Sequence, residues 1–184
     1  TEKRWTNLLE GHELYCSGHL IEAACTYYEA TGKRKLLDIA VKNAECIYDR
    51  FVMQNTEGIP GHPEIELALL RLYRLTENKH FLELAQKFIN ERGKAPDFWA
   101  REAKKRSWSV WNSDPWGNDY RQSAKPVREQ TEAVGHAVRA VYLYTGMADL
   151  AAETEDKELF AACRRLWENI VHRKMYITGG IGST

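Results

Sequence analysis

The sequence carries no surplus charge, no closely paired cysteines and no long apolar run, and each lack removes a class of function. Lys and Arg together number 26, and so do Asp and Glu. A neutral chain does not accumulate on a phosphate backbone, so nucleic acid is not expected as a partner. No stretch approaches the roughly 18 consecutive apolar residues of a membrane span, and no membrane association is expected. No convincing period-two alternation occurs, so strands are not expected. The chain opens on Thr1-Glu2-Lys3-Arg4 without an initiator Met or a signal-peptide pattern. It closes on Gly182-Ser183-Thr184 straight after a glycine-rich stretch, and we expect a piece of a longer polypeptide.

The four cysteines are Cys16, Cys25, Cys46 and Cys163, with no Cys-x-x-Cys spacing among them. All lie inside apolar helical patterns. They are expected to be free, buried thiols, in keeping with a reducing, cytoplasmic compartment. His12-Glu13-Leu14-Tyr15-Cys16 begins like a zinc-protease helix but has Cys where the second His must stand. Two ligands from one helix are too few for a metal, so none is expected within this chain. Thr178-Gly179-Gly180-Ile181-Gly182-Ser183 lacks the lysine of a phosphate loop and reads as a tight turn.

What is present is helical periodicity, with apolar residues making up 43% of 184 positions, enough for one domain. Leu14, Gly18, Ile21 and Cys25 recur at helix spacing, as do Leu36, Ile39, Ala40, Ala44 and Ile47. Ile65, Leu69, Leu72 and Tyr73 mark a third helix, and Phe81, Leu84, Ala85 and Phe88 a fourth, closed by Gly93. Val134, Val138, Val141 and Tyr142 mark a fifth, and Leu159, Ala162, Cys163 and Trp167 a sixth. A shift of 45 positions lays Tyr28 on Tyr73, Thr31 on Thr76, Leu37 on Leu82 and Ala40 on Ala85. A third copy is read from Tyr142 and Thr145-Gly146, with a short insertion before Leu159, Phe160 and Cys163. The repeating unit is an αα-hairpin, and the expected class is all-α.

A Gly-His dipeptide opens the first helix of each unit in this reading: Gly18-His19, Gly61-His62 and Gly135-His136, with Gly11-His12 one heptad earlier. Histidines at equivalent places of stacked hairpins gather on one face, where they can line a site. Between about residues 95 and 125 an insertion interrupts the repeat with Trp99, Trp108, Trp111, Trp116 and Tyr120. Such rings either stack on the apolar faces of sugars or form a small core of their own. Glycosidases need two groups flanking the scissile bond, usually carboxyls. Glu13, Glu22, Glu64, Glu66, Glu129 and Glu132 lie near the histidines, and no pair stands out. Glu132 and His136 are four apart and would share a helix face.

Taken together, five segments resemble the glycoside hydrolase family 127 β-L-arabinofuranosidases. They are His12-Glu13-Leu14-Tyr15-Cys16 through Gly18-His19-Leu20-Ile21-Glu22-Ala23, and Gly61-His62-Pro63-Glu64-Ile65-Glu66-Leu67-Ala68-Leu69. Pro126-Val127-Arg128-Glu129-Gln130-Thr131-Glu132-Ala133-Val134-Gly135-His136-Ala137 follows. Leu166-Trp167-Glu168-Asn169-Ile170 and Met175-Tyr176-Ile177-Thr178-Gly179-Gly180-Ile181-Gly182-Ser183 complete the set in family order. The resemblance implies part of an (α/α)6 toroid and a retaining hydrolase of terminal β-L-arabinofuranosyl groups. It also implies a zinc-held cysteine nucleophile and a glutamate acid/base, in a motif just after the glycine-rich turn. Those residues lie past Thr184, so zinc is expected in the longer protein and no catalytic residue or cofactor in this chain. Sugar contact carries over to His12, His62 and His136, and further to Glu132 and His19. Two departures touch the substrate face: the long Trp-rich insertion, and Ala124 where the resemblance implies His. The expected partners are a carbohydrate substrate and the rest of the same polypeptide.

Two other readings remain open at this point. One is a different (α/α)6 enzyme, such as a sugar epimerase or an unsaturated-uronide hydrolase. The other is a helical-repeat binding scaffold, which would separate His12, His62 and His136. About half a toroid leaves apolar hairpin faces open to water. At roughly 25 cal/mol per Å² that exposure rivals the whole net stability of a domain.

Overall fold

A computed structural model describes residues 2–111 and 116–182. Three αα-hairpins stand side by side. The first pairs α1 (Glu13–Thr31) with α2 (Lys35–Tyr48), the second α3 (Ile65–Thr76) with α4 (Lys79–Glu91). Two short helices, α5 (Phe98–Lys105) and α6 (Gly117–Tyr120), interrupt the array before the third pair, α7 (Ala137–Thr154) and α8 (Lys157–Asn169). A wide π turn extends α2 over Asp49–Met53 and α8 over Ile170–Lys174. Among the described residues the only extended pairing is the isolated bridge between Met175 and Ile181.

The first helices form one layer, α1 against α3 against α7, and α2, α4 and α8 pack behind them. The core is a single apolar cluster. Ile21, Ala24 and Cys25 of α1 meet Ala68, Leu69 and Leu72 of α3, and Leu143, Met147 and Leu150 of α7 complete it. In the second layer, Leu37, Ala40 and Ala44 occupy the buried face that Phe81, Leu84 and Phe88 occupy in α4, and Leu159, Ala162 and Leu166 in α8.

Each first helix ends alike. Gly32, Glu77 and Glu155 take left-handed conformations, with φ of 69°, 56° and 53°. Their backbone N–H groups donate back to Tyr28, Tyr73 and Ala151, four residues earlier. Asn78 and Asp156 then cap the second helices through their side chains. The third hairpin therefore turns at Thr154-Glu155, not at Thr145-Gly146, and needs no insertion. Gly146 serves a different end: a Cβ there would lie 3.1 Å from the Glu66 Cβ and 3.3 Å from the Leu67 N, so it lets α7 close on α3. Gly18 does the same for α1, where a Cβ would come 2.8 Å from the Ile65 Cα.

The four thiols are free, but only Cys25 is buried outright. Cys16 and Cys46 are exposed, a correction to the buried set expected from helical pattern alone. They occupy positions of α1 and α2 that turn away from the packed faces. No helix of the described residues is long and apolar enough to cross a membrane.

Candidate active site

The inner helices all begin at the same end of the layer, because each outer helix returns the chain there. His12 is the N-cap of α1 and His136 the N-cap of α7, while His62 stands three residues before α3. Gly18-His19, by contrast, falls inside α1, so Gly11-His12 is the member that matches the other two. The rings of His12 and His62 are 5.7 Å apart between centroids, and those of His62 and His136 5.8 Å. Tyr15 packs edge-on to both His62 and His19, at 4.5 and 4.4 Å. Tyr142 closes the group, 6.0 Å from His62 and 5.9 Å from His19. His19 is thus a rim member, joined to the cluster through two tyrosines.

Hydrogen bonds fix what each ring offers. His12 Nδ1 lies 2.7 Å from the Glu10 carbonyl and His62 Nδ1 2.7 Å from the Pro63 carbonyl. A carbonyl only accepts, so both Nδ1 atoms carry the proton and both Nε2 atoms remain acceptors in the neutral ring. His136 is the reverse: its Nδ1 accepts from the Arg139 N–H at 3.3 Å, which leaves Nε2–H as a donor. Burial pulls the His62 pKa down to about 4, and the nearby Arg139, His12 and His136 add to the effect. His136 is lowered as well, by burial and then by Arg139. His62 and His136, both held toward the neutral form, thus offer one acceptor and one donor suited to hydroxyl groups. His12 holds a left-handed backbone, φ 53°, a strained state for a residue with a Cβ and one that local contacts must maintain.

Behind the rings lies Glu64, with only 1% of its side chain exposed. One oxygen sits 3.6 Å from His19 Nδ1, and the other, packed over Gly18, has no hydrogen-bond partner. Burial, reinforced by the charges of Glu66 and Glu22, raises its pKa to about 8. Deeper still, Arg92 is wholly buried. It donates to the Pro60 carbonyl at 2.7 Å and the Arg121 carbonyl at 3.0 Å, and pairs with Glu66 at 3.4 Å. One guanidinium thereby ties the backbone ahead of His62 to the Arg121-Gln122 segment. Gln122 continues the tie, donating to the Val134 carbonyl at 2.8 Å, beside His136.

The insertion divides its tryptophans between two tasks. Trp99 is buried and donates to Ser123 Oγ at 3.0 Å, forming a small core with Phe98. Trp108 packs near Gly11 and donates to Thr6 Oγ1 at 3.1 Å, while Glu10 accepts from Ser109 and from the Val110 N–H. Trp111 and Trp116 instead join the histidines. Trp111 meets His12 at 6.4 Å and Trp116 at 5.4 Å, and Trp116 stacks on Tyr120 at 5.2 Å. Tyr120 packs edge-on to His136 at 5.3 Å. The circuit His12, His62, His136, Tyr120, Trp116, Trp111 is closed.

Glu132 is not part of that circuit. Gly135 has φ 80°, pressed against Tyr120 and the Asp119 carbonyl, so α7 starts only at Ala137 and Glu132 shares no helix face with His136. Glu132 pairs with Lys174 at 2.9 Å on the surface and lines, with Ala124, an open cleft of about 390 Å³ that none of the histidines line. Among the described residues no three His, Cys, Asp or Glu side chains converge to hold a metal. Ser183, at the end of the glycine-rich segment, lies outside the described residues. Tyr15 and Tyr142 carry no site signal in the sequence reading, while Glu64 stands there only as one of six carboxyl candidates and Tyr120 only among the rings of the insertion. Tyr15 was within reach of that reading, standing three residues after His12 and four before His19.

Comparison with known proteins finds relatives over nearly the whole chain. The catalytic-domain model of the glycoside hydrolase family 127 β-L-arabinofuranosidases covers residues 1–184. A non-reducing end β-L-arabinofuranosidase from Bifidobacterium longum subsp. longum is 42% identical over 98% of this chain, which spans 28% of that relative's length. A solved family 127 β-L-arabinofuranosidase from Geobacillus stearothermophilus T6 superposes with a TM-score of 0.88 at 50% identity, over 99% of this chain and 29% of that one. A second solved family 127 β-arabinofuranosidase gives 0.77 at 45% identity, over 93% of this chain and 24% of that one. With helices, hairpin order and sequence in agreement along its whole length, this chain belongs to glycoside hydrolase family 127.

Proposed function

We propose that this chain is the sugar-contacting part of a retaining hydrolase of terminal β-L-arabinofuranosyl groups. The closed aromatic circuit around His12, His62 and His136 carries the reading. It offers hydroxyl-sized hydrogen-bond partners of both senses at the bottom and flat rings at the mouth. His19 contributes at the rim. Glu132, on the surface with Lys174, has no such role in this reading. The nucleophile, the acid/base and the zinc would come from chain beyond Thr184, and no proton transfer is assigned to the residues described. The 184 residues act as one unit, with the insertion folded onto the site, and the four free thiols fit a reducing compartment.

The test is hydrolysis of an aryl β-L-arabinofuranoside by the longer polypeptide that carries this segment, with and without a zinc chelator. Turnover that the chelator abolishes is expected. Replacing His62 with Ala is expected to lower kcat/KM by roughly tenfold or more, since a buried hydroxyl would lose its partner. A folded, zinc-loaded protein that ignores the substrate would refute the reading.

A further inference from the structure

We infer that Trp111 and Trp116 form a second sugar-binding position, which holds the ring of the leaving group and sets what the enzyme will release. The inference rests on the arabinofuranosidase reading above. Exposure rises steadily around the aromatic circuit, from His62 at 8% to Trp111 at 37% and Trp116 at 45%. The histidines are therefore the closed end and the tryptophans the mouth. An enzyme that removes a terminal sugar must place that sugar at the closed end, and whatever it was attached to then trails across the mouth. There it meets two large rings set nearly perpendicular, 85° between planes, with Trp116 braced by stacking on Tyr120 at 19°. Perpendicular indoles present a corner, with one face along the path and one across it. A pentose or hexose ring has an apolar face that such a corner fits, while a small alkyl leaving group would touch neither wall. The corner is held in place from below: Tyr120 packs on His136 and Trp111 on His12, so the second position is built onto the first.

The experiment uses the complete enzyme and two substrates with the same terminal sugar. One is methyl β-L-arabinofuranoside, whose leaving group has no ring. The other is a β-linked L-arabinofuranosyl disaccharide. Trp111→Ala and Trp116→Ala are each expected to lower kcat/KM on the disaccharide by roughly five- to tenfold more than on the methyl glycoside. Trp111→Phe should recover most of the loss. Equal losses on both substrates would mean the tryptophans only support the fold, and would overturn the proposal. So would no loss on either. A wild-type enzyme that cleaves neither compound would overturn the arabinofuranosidase reading and this position with it, whereas normal turnover with an unchanged substrate ratio would overturn this position alone.

Discussion

Glu64 should make this chain lose stability as the solution passes from neutral to mildly basic pH, and the size of the loss follows from its burial. Its folded pKa of about 8 lies well above the ordinary carboxyl value of 4.5. Below pH 4.5 the folded and unfolded states both hold the proton, and Glu64 contributes no pH dependence. Between 4.5 and 8 the folded state keeps a proton that the unfolded state has released, so stability falls as pH rises, by about 1.4 kcal/mol per unit. His62 opposes this over part of the range. Its pKa is lowered to about 4 from 6.5, so the unfolded state binds the extra proton and stability rises with pH up to 6.5. The two slopes largely cancel between 4.5 and 6.5. From 6.5 to 8 His62 no longer opposes Glu64, whose expected contribution is a loss of about 2 kcal/mol. Urea midpoints of the chain measured at intervals across that window should fall, and those of Glu64→Gln should stay flat. A carboxyl ¹³C titration of Glu64 gives the pKa directly. If Glu64→Gln shows the same falling limb as the parent, or the carboxyl titrates near 4.5, the buried neutral acid is refuted.

Three further outcomes follow from packing. Gly18→Ala puts a methyl 1.5 Å from Glu64 Oε2 and 2.8 Å from the Ile65 Cα, and should cost roughly 2–4 kcal/mol by urea denaturation. Arg92→Met leaves Glu66 buried without its partner and should cost about 3–5 kcal/mol; adding Glu66→Met should recover part of it in a double-mutant cycle. Phe160 and Trp167 on the outer side of the last hairpin are 60% and 67% exposed and line an apolar groove with Val141 and Tyr144. The isolated chain should therefore bind a hydrophobic dye and scatter light on warming, and Phe160→Ser with Trp167→Ser should reduce both at least about twofold.

The hairpins were legible because their buried residues recur at 3.6-residue spacing, and the histidines because a Gly-His pair recurs at nearly matching places. Reading failed where a glycine had more than one possible use. Thr145-Gly146 looks like the Thr31-Gly32 turn, but Gly146 is spent on close helix packing, and the turn falls to Glu155, which no glycine marks. Gly135 was read as the first turn of a helix, yet its positive φ holds the chain outside α7 and sends Glu132 to the surface. Glu64 resembles any acidic residue near a helix start, and nothing local shows that Gly18 leaves room for it under α1. The split among the tryptophans depends on Glu10 accepting from Ser109 and Val110, and on Glu102 of the insertion accepting from the Leu8 and Leu9 N–H groups, across about a hundred residues of sequence, which no local pattern records.

The position of the histidines also limits what they can do. Stacked hairpins bring the starts of α1, α3 and α7 together, and a helix start carries partial positive charge from its unpaired N–H groups. Burial disfavours a cationic imidazolium there, as the lowered values of His62 and His136 reflect, and the positive helix starts act in the same sense. At neutral pH His62, with a pKa of about 4, carries no imidazolium proton to give up as an acid. His62 Nε2 can still accept a hydrogen bond, but a ring with a pKa of about 4 is a feeble base. In the proposed function, the array would grip hydroxyls without competing for the reaction's protons. A pH–rate profile of the complete enzyme should then be unmoved in its two limbs by His62→Asn, even as kcat/KM falls at every pH. A limb that shifts with this substitution would make His62 a proton carrier and would undo the division of labour between gripping and cleaving.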